Sequence, residues 1–400
     1  MTASGARSML PSLTAVEAEH SAAVTELIRG HIAAAGGWLS FERFMELALY
    51  APGLGYYSAG SSKIGAAGDF VTAPEVSDLF SQCLARQCAE VLRTCARGEI
   101  LELGAGTGRM AATLLTALAE SGALPERYAI LEVSADLAAR QRERLARLPA
   151  ALGARVVWLT QLPERPLEGL ILANEVADAL PCRRFTSGVD GIAELGVVAA
   201  TGAAGGSAAF HESRAAPDAL LTRACAGILA TLPAPLPAGY SSEVCLGVAP
   251  WIASLSECLG RGALLVSDYG LPRRHYYHPQ RVSGTLRCHF KQRVHDDPYI
   301  NVGVQDITAW VDFTSVAAAG LAAGLTVAGF ATQAAFLLAT GIEEWVTRAP
   351  EGSARARLAG EARRLLMPGE MGEAFKVMAL TRAWDAPLQG FSVQDLRDSL

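Results

Sequence analysis

Glu99-Ile-Leu-Glu-Leu-Gly-Ala-Gly-Thr-Gly-Arg109 is the stretch on which the reading of this chain turns. Ile100 to Leu103 is a short apolar run that suits a buried strand. Gly104, Gly106 and Gly108 follow at alternate positions. Met110, Leu114, Leu115 and Leu118 then recur at helical spacing, and Gly122 marks the stop. Strand, glycine turn and helix together make a cradle of the nucleotide-binding kind. Glycine lets the backbone pass close beneath a ligand, and a helix start offers unpaired N–H groups.

The spacing discriminates between ligands. A dinucleotide turn wants Gly-x-Gly-x-x-Gly or a final Ala, with the pyrophosphate on the helix start. Here the third glycine comes one residue early, and Arg109 stands where Gly or Ala is wanted. That disfavours an NAD-dependent dehydrogenase. Glu102 precedes the turn by two residues, and Glu-x-Gly-x-Gly-x-Gly resembles motif I of class I S-adenosylmethionine (SAM) methyltransferases. That ligand carries an amino group and a sulfonium instead of phosphates, so an acid before the turn suits its cationic end. The residues placed on the cofactor are Glu102, Gly104, Ala105, Gly106 and Gly108.

Outward from the cradle, residues 127–133 read as a second strand with Glu132 near its end. A carboxylate there either holds the two hydroxyls of an adenosine ribose or is a plain surface acid, and its place in a βαβ unit favours ribose. Ser134 caps a helix whose Arg140, Arg142, Arg144 and Arg147 interleave with Asp136 and Glu143, which marks a solvated face. Residues 156–159 and 170–173 read as third and fourth strands, and 262–266 as a fifth. The fourth ends in Asn174-Glu175-Val176-Ala177-Asp178. Open α/β sheets bind ligands beyond the carboxyl ends of their strands, so Asn174 is placed on the cofactor and Glu175 and Asp178 at the chemistry. The alternative is that Asn174 or Asp178 caps a helix.

Residues 22–35 and 41–47 read as helices, the second capped by Ser40, after a loose N-terminal tail. Residues 183–212 read as a β-hairpin insertion, and 216–231 as a helix. Residues 284–306 read as a long polar loop of the kind that carries function. In it His295 and Asp296 could form a metal pair or an acid–base pair. No third ligand stands at useful spacing, so no metal is expected and loop stabilisation is the simpler role. Residues 315–342 carry no charged side chain, but glycines interrupt them. They read as helix, strand and short helix, without membrane insertion.

Net charge is −6 with no basic block, which argues against a nucleic-acid partner held by phosphate contacts. The eight cysteines show no Cys-x-x-Cys or zinc spacing. Residues 1–21 have no signal-peptide character, so reduced thiols in a cytoplasmic protein are expected.

Further motifs surround the glycine turn: Gly-Asp-Phe-Val-Thr-Ala-Pro-Glu (68–75), Asn-Glu-Val-Ala-Asp-Ala-Leu-Pro (174–181), Asp-Tyr-Gly (268–270), Gly-Thr-Leu-Arg-Cys (284–288), His-Asp-Asp-Pro (295–298), Gln-Asp-Ile-Thr-Ala-Trp-Val-Asp-Phe (305–313) and Met-Gly-Glu-Ala-Phe-Lys-Val (371–377). Together they resemble the MidA family, which includes the mitochondrial complex I assembly arginine methyltransferase. The resemblance runs from about Phe44 to Arg382 and is weakest over 183–215. It implies a class I, Rossmann-like SAM-dependent methyltransferase: a mainly parallel seven-stranded sheet with an N-terminal helical cap and insertions. The expected organisation is a tail and cap over 1–97 and a methyltransferase domain over 98–385. Insertions are expected at about 183–260 and 271–305, with a C-terminal tail over 386–400.

From the same resemblance, Asp69, Phe70 and Thr72 close over SAM. The expected acceptor is an arginine of a protein substrate, such as a respiratory complex I subunit or its bacterial counterpart. Glu175, at the end of the fourth strand, is expected to grip it with help from Asp178 or Glu243, and Asp178 or His295 is expected to receive the proton. A homodimer is compatible with this reading. So are a non-catalytic SAM-binding assembly protein and a methyltransferase with another acceptor.

Overall fold

The computed structural model describes residues 10–59, 72–189, 191–200 and 209–400. The chain divides into two units, neither of them one continuous segment. One comprises 71–177, 248–272 and 311–400; the other comprises 1–70, 178–247 and 273–310.

The first unit is built on a sheet whose strands are numbered here β1 (Glu99–Leu103), β2 (Arg127–Leu131), β3 (Val156–Leu159), β4 (Leu167–Asn174), β5 (Leu259–Leu271), β6 (Thr326–Thr332) and β7 (Phe375–Arg382). Their spatial order is β3-β2-β1-β4-β5-β7-β6, and Val311–Asp312 adds a short parallel strand beside the end of β5. β1 to β5 pair in parallel; β7 runs antiparallel to both β5 and β6. The expected seven-stranded, mainly parallel sheet is therefore present. Apolar runs such as Leu170-Ile-Leu-Ala173 belong to strands covered on both faces.

Two helices cover one face: α2 (Asp78–Leu92) and α3 (Arg109–Glu120). Their Phe80, Cys88, Leu114 and Leu118 pack with Ile100, Ile130, Leu170 and Leu172. α2 follows the single turn α1 (Ala73–Val76), with Ser77 as its cap, its hydroxyl accepting from Leu79 N–H. The order reverses between β1 and β4, since the chain goes from β1 outward to β3 and then returns to β4. That reversal opens the crevice where such sheets bind ligands. The uncharged stretch after residue 315 folds as helix Phe313–Ala322, β6 and helix Gln333–Ala339. Among the described residues no helix is long and apolar enough to cross a membrane.

The second unit holds helices Ala15–Ala34 and Phe41–Tyr50 against two antiparallel sheets. Val24, Ile28 and Ile32 form the buried stripe of the first helix; Phe41, Phe44 and Met45 do so for the second. The first helix begins earlier than the expected residue 22. Thr14 and Glu17 form a capping box, which turns part of the supposed tail into helix. One sheet joins Arg183–Gly188, Gly191–Ala199, Phe210–Ala215, Ser241–Val244 and Leu39–Ser40.

The other sheet replaces much of the expected polar loop: Arg287–Phe290, Arg293–His295 and Asp306–Thr308 pair antiparallel. Lys291 and Gln292 both take left-handed backbone, with φ of 46° and 62°, as a two-residue hairpin requires. Neither is the Asn or Gly that normally announces such a turn. Burial of Cys288, Phe290 and Ile307 repays that strain.

Candidate active site at the carboxyl edge of the sheet

The glycine turn leaves β1 at the crevice. Gly104, Gly106 and Gly108 have φ of 59°, 53° and 78°, a region that costs side-chain-bearing residues energy. Gly104 is solvent-exposed, and its N–H donates to Leu131 O at 3.0 Å, so β2 holds the start of the turn. Ala105 is buried beneath it, with its carbonyl accepting from Gly108 N–H at 2.8 Å. Gly108 caps α3 without a side-chain partner, so the helix start keeps its N–H groups for a ligand.

Glu132 lies just past the end of β2. Its Oε1 accepts from Ser134 N–H at 2.9 Å and its Oε2 from Gln141 Nε2 at 2.9 Å. Burial raises its pKa, and these hydrogen bonds oppose the rise. Gln141 also donates to Gly106 O at 3.0 Å and accepts from Trp158 Nε1 at 3.0 Å. Gly108 packs so closely on it that a Cβ there would lie 3.3 Å from Gln141 Cα. This fully buried glutamine ties the Glu132 carboxylate to the glycine turn. The clue to it in the sequence was a polar residue on the apolar stripe Leu137, Ala138, Gln141, Leu145.

β4 delivers Asn174 and Glu175. Glu175 has φ of 54°, rare for a residue with a side chain and common where function fixes geometry. Its Oε1 accepts from Ala73 N–H at 3.0 Å and from Asn174 Nδ2 at 3.3 Å. Among the described residues Asn174 Oδ1 is buried without a hydrogen-bond partner. The adjacent Val176 faces the turn: a Cβ at Gly104 would lie 3.6 Å from its Cγ2. Asp268, fully buried at the end of β5, anchors this peptide by accepting from Ala177 N–H at 2.9 Å.

Glu102, two residues before the turn, is an interior side chain. It is 1% exposed, on the face of β1 that packs under the helices, and accepts from Tyr128 Oη at 2.7 Å. Burial pushes its pKa up to about 7. Its hydrogen bond joins β1 to Tyr128 of β2. Thr72 caps α1 through its carbonyl, which accepts from Glu75 and Val76 N–H. Asp69 and Phe70 lie outside the described residues.

The remaining expected residues belong to the other unit. Glu243 is fully buried, and its Oε2 accepts from Thr285 N–H at 2.8 Å and Thr285 Oγ1 at 3.1 Å. Arg184 Nε lies 3.6 Å from its Oε1. Thr285 thus holds one oxygen of this carboxylate, while among the described residues Oε1 has the Arg184 ion pair and no hydrogen bond. Asp178 is 7% exposed, and its carbonyl accepts from Ala309 N–H at 2.9 Å. His295 is largely buried, with Nδ1 accepting from Asp297 N–H at 3.3 Å; burial lowers its pKa despite Asp297 and Asp296. Among the described residues no three His, Cys, Asp or Glu side chains group as metal ligands.

A parallel sheet with this strand order, an exposed glycine turn at its reversal point and a carboxylate after β2 define a class I SAM-dependent methyltransferase. The cradle fits SAM: three glycines in left-handed backbone, of which Gly104 is exposed, and a helix start without a side-chain cap. The comparisons agree. Residues 83–331 match the family described as putative S-adenosyl-L-methionine-dependent methyltransferase. A crystal structure from Burkholderia thailandensis bound to S-adenosyl-homocysteine is 40% identical, covers 98% of this chain and 100% of its own, and superposes with a TM-score of 0.91. "Protein arginine methyltransferase NDUFAF7, mitochondrial" of Mus musculus is 29% identical over 86% of this chain and 81% of its own length. The Homo sapiens protein of that name is 27% identical over 86% and 80%. The chain belongs to the MidA family of SAM-dependent methyltransferases.

Proposed function

We propose that the methyl acceptor is an arginine side chain of a protein. The observation that carries this is the alignment, over 86% of the chain, with relatives named protein arginine methyltransferase. The chemistry of the site is compatible. SAM supplies an electrophilic methyl group on a sulfonium. A guanidinium is planar, permanently cationic and a poor nucleophile, because its lone pairs are delocalised. A carboxylate on its far N–H groups draws positive charge away from the attacking nitrogen and aims it. The nitrogen lone pair forms the new C–N bond as the methyl–sulfur bond breaks, and a proton then leaves the nitrogen.

Glu175 is the residue assigned to that grip. Ala73 N–H and Asn174 Nδ2 hold its carboxylate at the end of β4 before any acceptor arrives. Such preorganisation stabilises a transition state without a reordering cost.

The test is labelled-methyl transfer from SAM into an extract lacking this protein, with mass spectrometry of the labelled band. Methylarginine is expected. Glu175→Gln keeps an oxygen for Ala73 N–H but loses the charge. It should bind S-adenosylhomocysteine normally and lose transfer roughly a hundredfold. Methyl on lysine or on a small molecule, or near-normal transfer by the variant, overturns the proposal.

A further inference from the structure

The glycine turn is held from two sides, and only one of them is Gln141. The peptide entering α2 is fastened to the cradle on the other. Thr107, between Gly106 and Gly108, donates its hydroxyl to Glu75 Oε1. Arg109, the first residue of α3, donates from Nη1 to Glu75 O at 2.7 Å and from Nε to Asp78 Oδ1 at 2.9 Å. The Thr113 hydroxyl reaches the same Oδ1 at 3.2 Å. Ala73 N–H reaches Glu175, and Ser77 Oγ donates to Glu361 Oε2 at 2.6 Å. Residues 73–78 are thus pinned to the end of β4, to the turn and to the first turns of α3.

The location gives these bonds a consequence for the cofactor. A turn with glycine at every second position has high backbone freedom. Its N–H groups serve a ligand only if that freedom is removed beforehand, since ordering them during binding lowers affinity. Thr107 is the one side chain between Gly106 and Gly108 that can be gripped. Its partner Glu75 is in turn oriented by Arg109 through the Glu75 carbonyl, and Glu75 Oε2 lies 3.9 Å from Arg109 Nη1. These partners are mostly shielded from water, with side-chain exposures of 13% for Glu75 and 29% for Arg109, so the bonds are worth more than surface pairs.

We propose that Glu75, Thr107 and Arg109 form a positioning set that holds the glycine turn in its cofactor-binding shape, so SAM affinity is set partly by residues outside the glycine motif. Arg109, the residue that argues against a dinucleotide, then has a positive role as the link between the turn and α1. The inference rests on the cofactor cradle and is independent of which acceptor is methylated.

Thr107→Val keeps the shape of the side chain and removes the hydroxyl, whereas Thr107→Ser restores it. Glu75→Ala removes the acceptor, whereas Glu75→Gln keeps an acceptor oxygen without the charge. Each full-length variant is titrated with S-adenosylhomocysteine by calorimetry, and its unfolding midpoint is measured without ligand. Thr107→Val and Glu75→Ala should bind roughly tenfold or more weakly, the loss expected for a hydrogen bond to a charged group. Thr107→Ser and Glu75→Gln should stay within about threefold of the parent, the residual effect of a changed but surviving hydrogen bond. The unliganded midpoint of Thr107→Val should be close to that of the parent. Parent-like affinity in Thr107→Val overturns the proposal. So does a weakening matched by a large fall in the unliganded midpoint, which assigns Thr107 to general stability. Equal losses in Glu75→Gln and Glu75→Ala overturn it too, because charge and not position would then matter. If Glu75→Ala does not fold, the Thr107 pair decides alone.

Discussion

Glu102→Gln separates two roles for the acid that precedes the glycine turn. Glu102 is buried against Tyr128, and its pKa rises from the ordinary 4.5 to about 7. Desolvation is the main cause; the Tyr128 hydrogen bond opposes it, and the charge of Glu132 adds to it. The native chain therefore keeps a proton that the unfolded chain gives up between those two pH values. Stability falls as pH rises from 4.5 to about 7 and levels off above, a total of about 3 kcal/mol from this group. Glutamine cannot ionise, and its amide oxygen still accepts from Tyr128. In urea unfolding of both proteins from about pH 5 to about pH 8.5, the variant should gain about 2–3 kcal/mol on the parent as pH rises. Other carboxylates titrate alike in the two proteins and cancel in the difference. Affinity for S-adenosylhomocysteine should change by less than about threefold, well under the loss of a charged contact. A stability difference that does not vary with pH would refute the buried-acid argument. Lost S-adenosylhomocysteine binding would return Glu102 to the cationic end of the cofactor.

Three further outcomes follow from the geometry. Gly106→Val should abolish detectable S-adenosylhomocysteine binding in calorimetry, since φ of 53° is hostile to a β-branched residue and the new methyls enter the cradle; normal affinity in the folded variant would remove the turn from the binding site. Arg183→Ala should cost about 3 kcal/mol or more in chemical unfolding, because both guanidinium-bound oxygens of Glu194 are buried and the carboxylate is left without its main partner. Arg183→Met with Glu194→Leu should recover most of that, and no recovery would mean the pair is more than a charge match. Gly284→Ala should cost more than about 2 kcal/mol, because φ is +72° and the added carbon would sit 2.4 Å from Glu243 Oε1; an unchanged unfolding midpoint would show that the Glu243 network can shift.

Much of the fold was legible because its signals are local. The strand at 100–103, the glycine turn, the caps at Ser40 and Ser134 and the helix–strand–helix reading of 315–342 each rest on a few neighbouring residues, and each is found in the structure. The hairpin at Lys291 and Gln292 was illegible for the opposite reason. Its turn residues have no preference for left-handed backbone, and only burial of the strands they join holds them there.

The candidate site divides along the same line. The sequence by itself determined that carboxylates stand at residues 102, 132, 175 and 243, and that the strand ends bring at least Glu132 and Glu175 to one edge of a sheet. Only the tertiary structure decided what each of them contacts. Glu102 turned inward to Tyr128, and Glu243 became half of an interior pair with Arg184. Glu75, the end of the 68–75 motif but given no role from sequence, met Thr107 and Arg109 across more than thirty residues. A carboxylate's role depends on its desolvation and on the donors within about 3 Å of it. Both are set by segments distant in sequence, so no local pattern could have announced them.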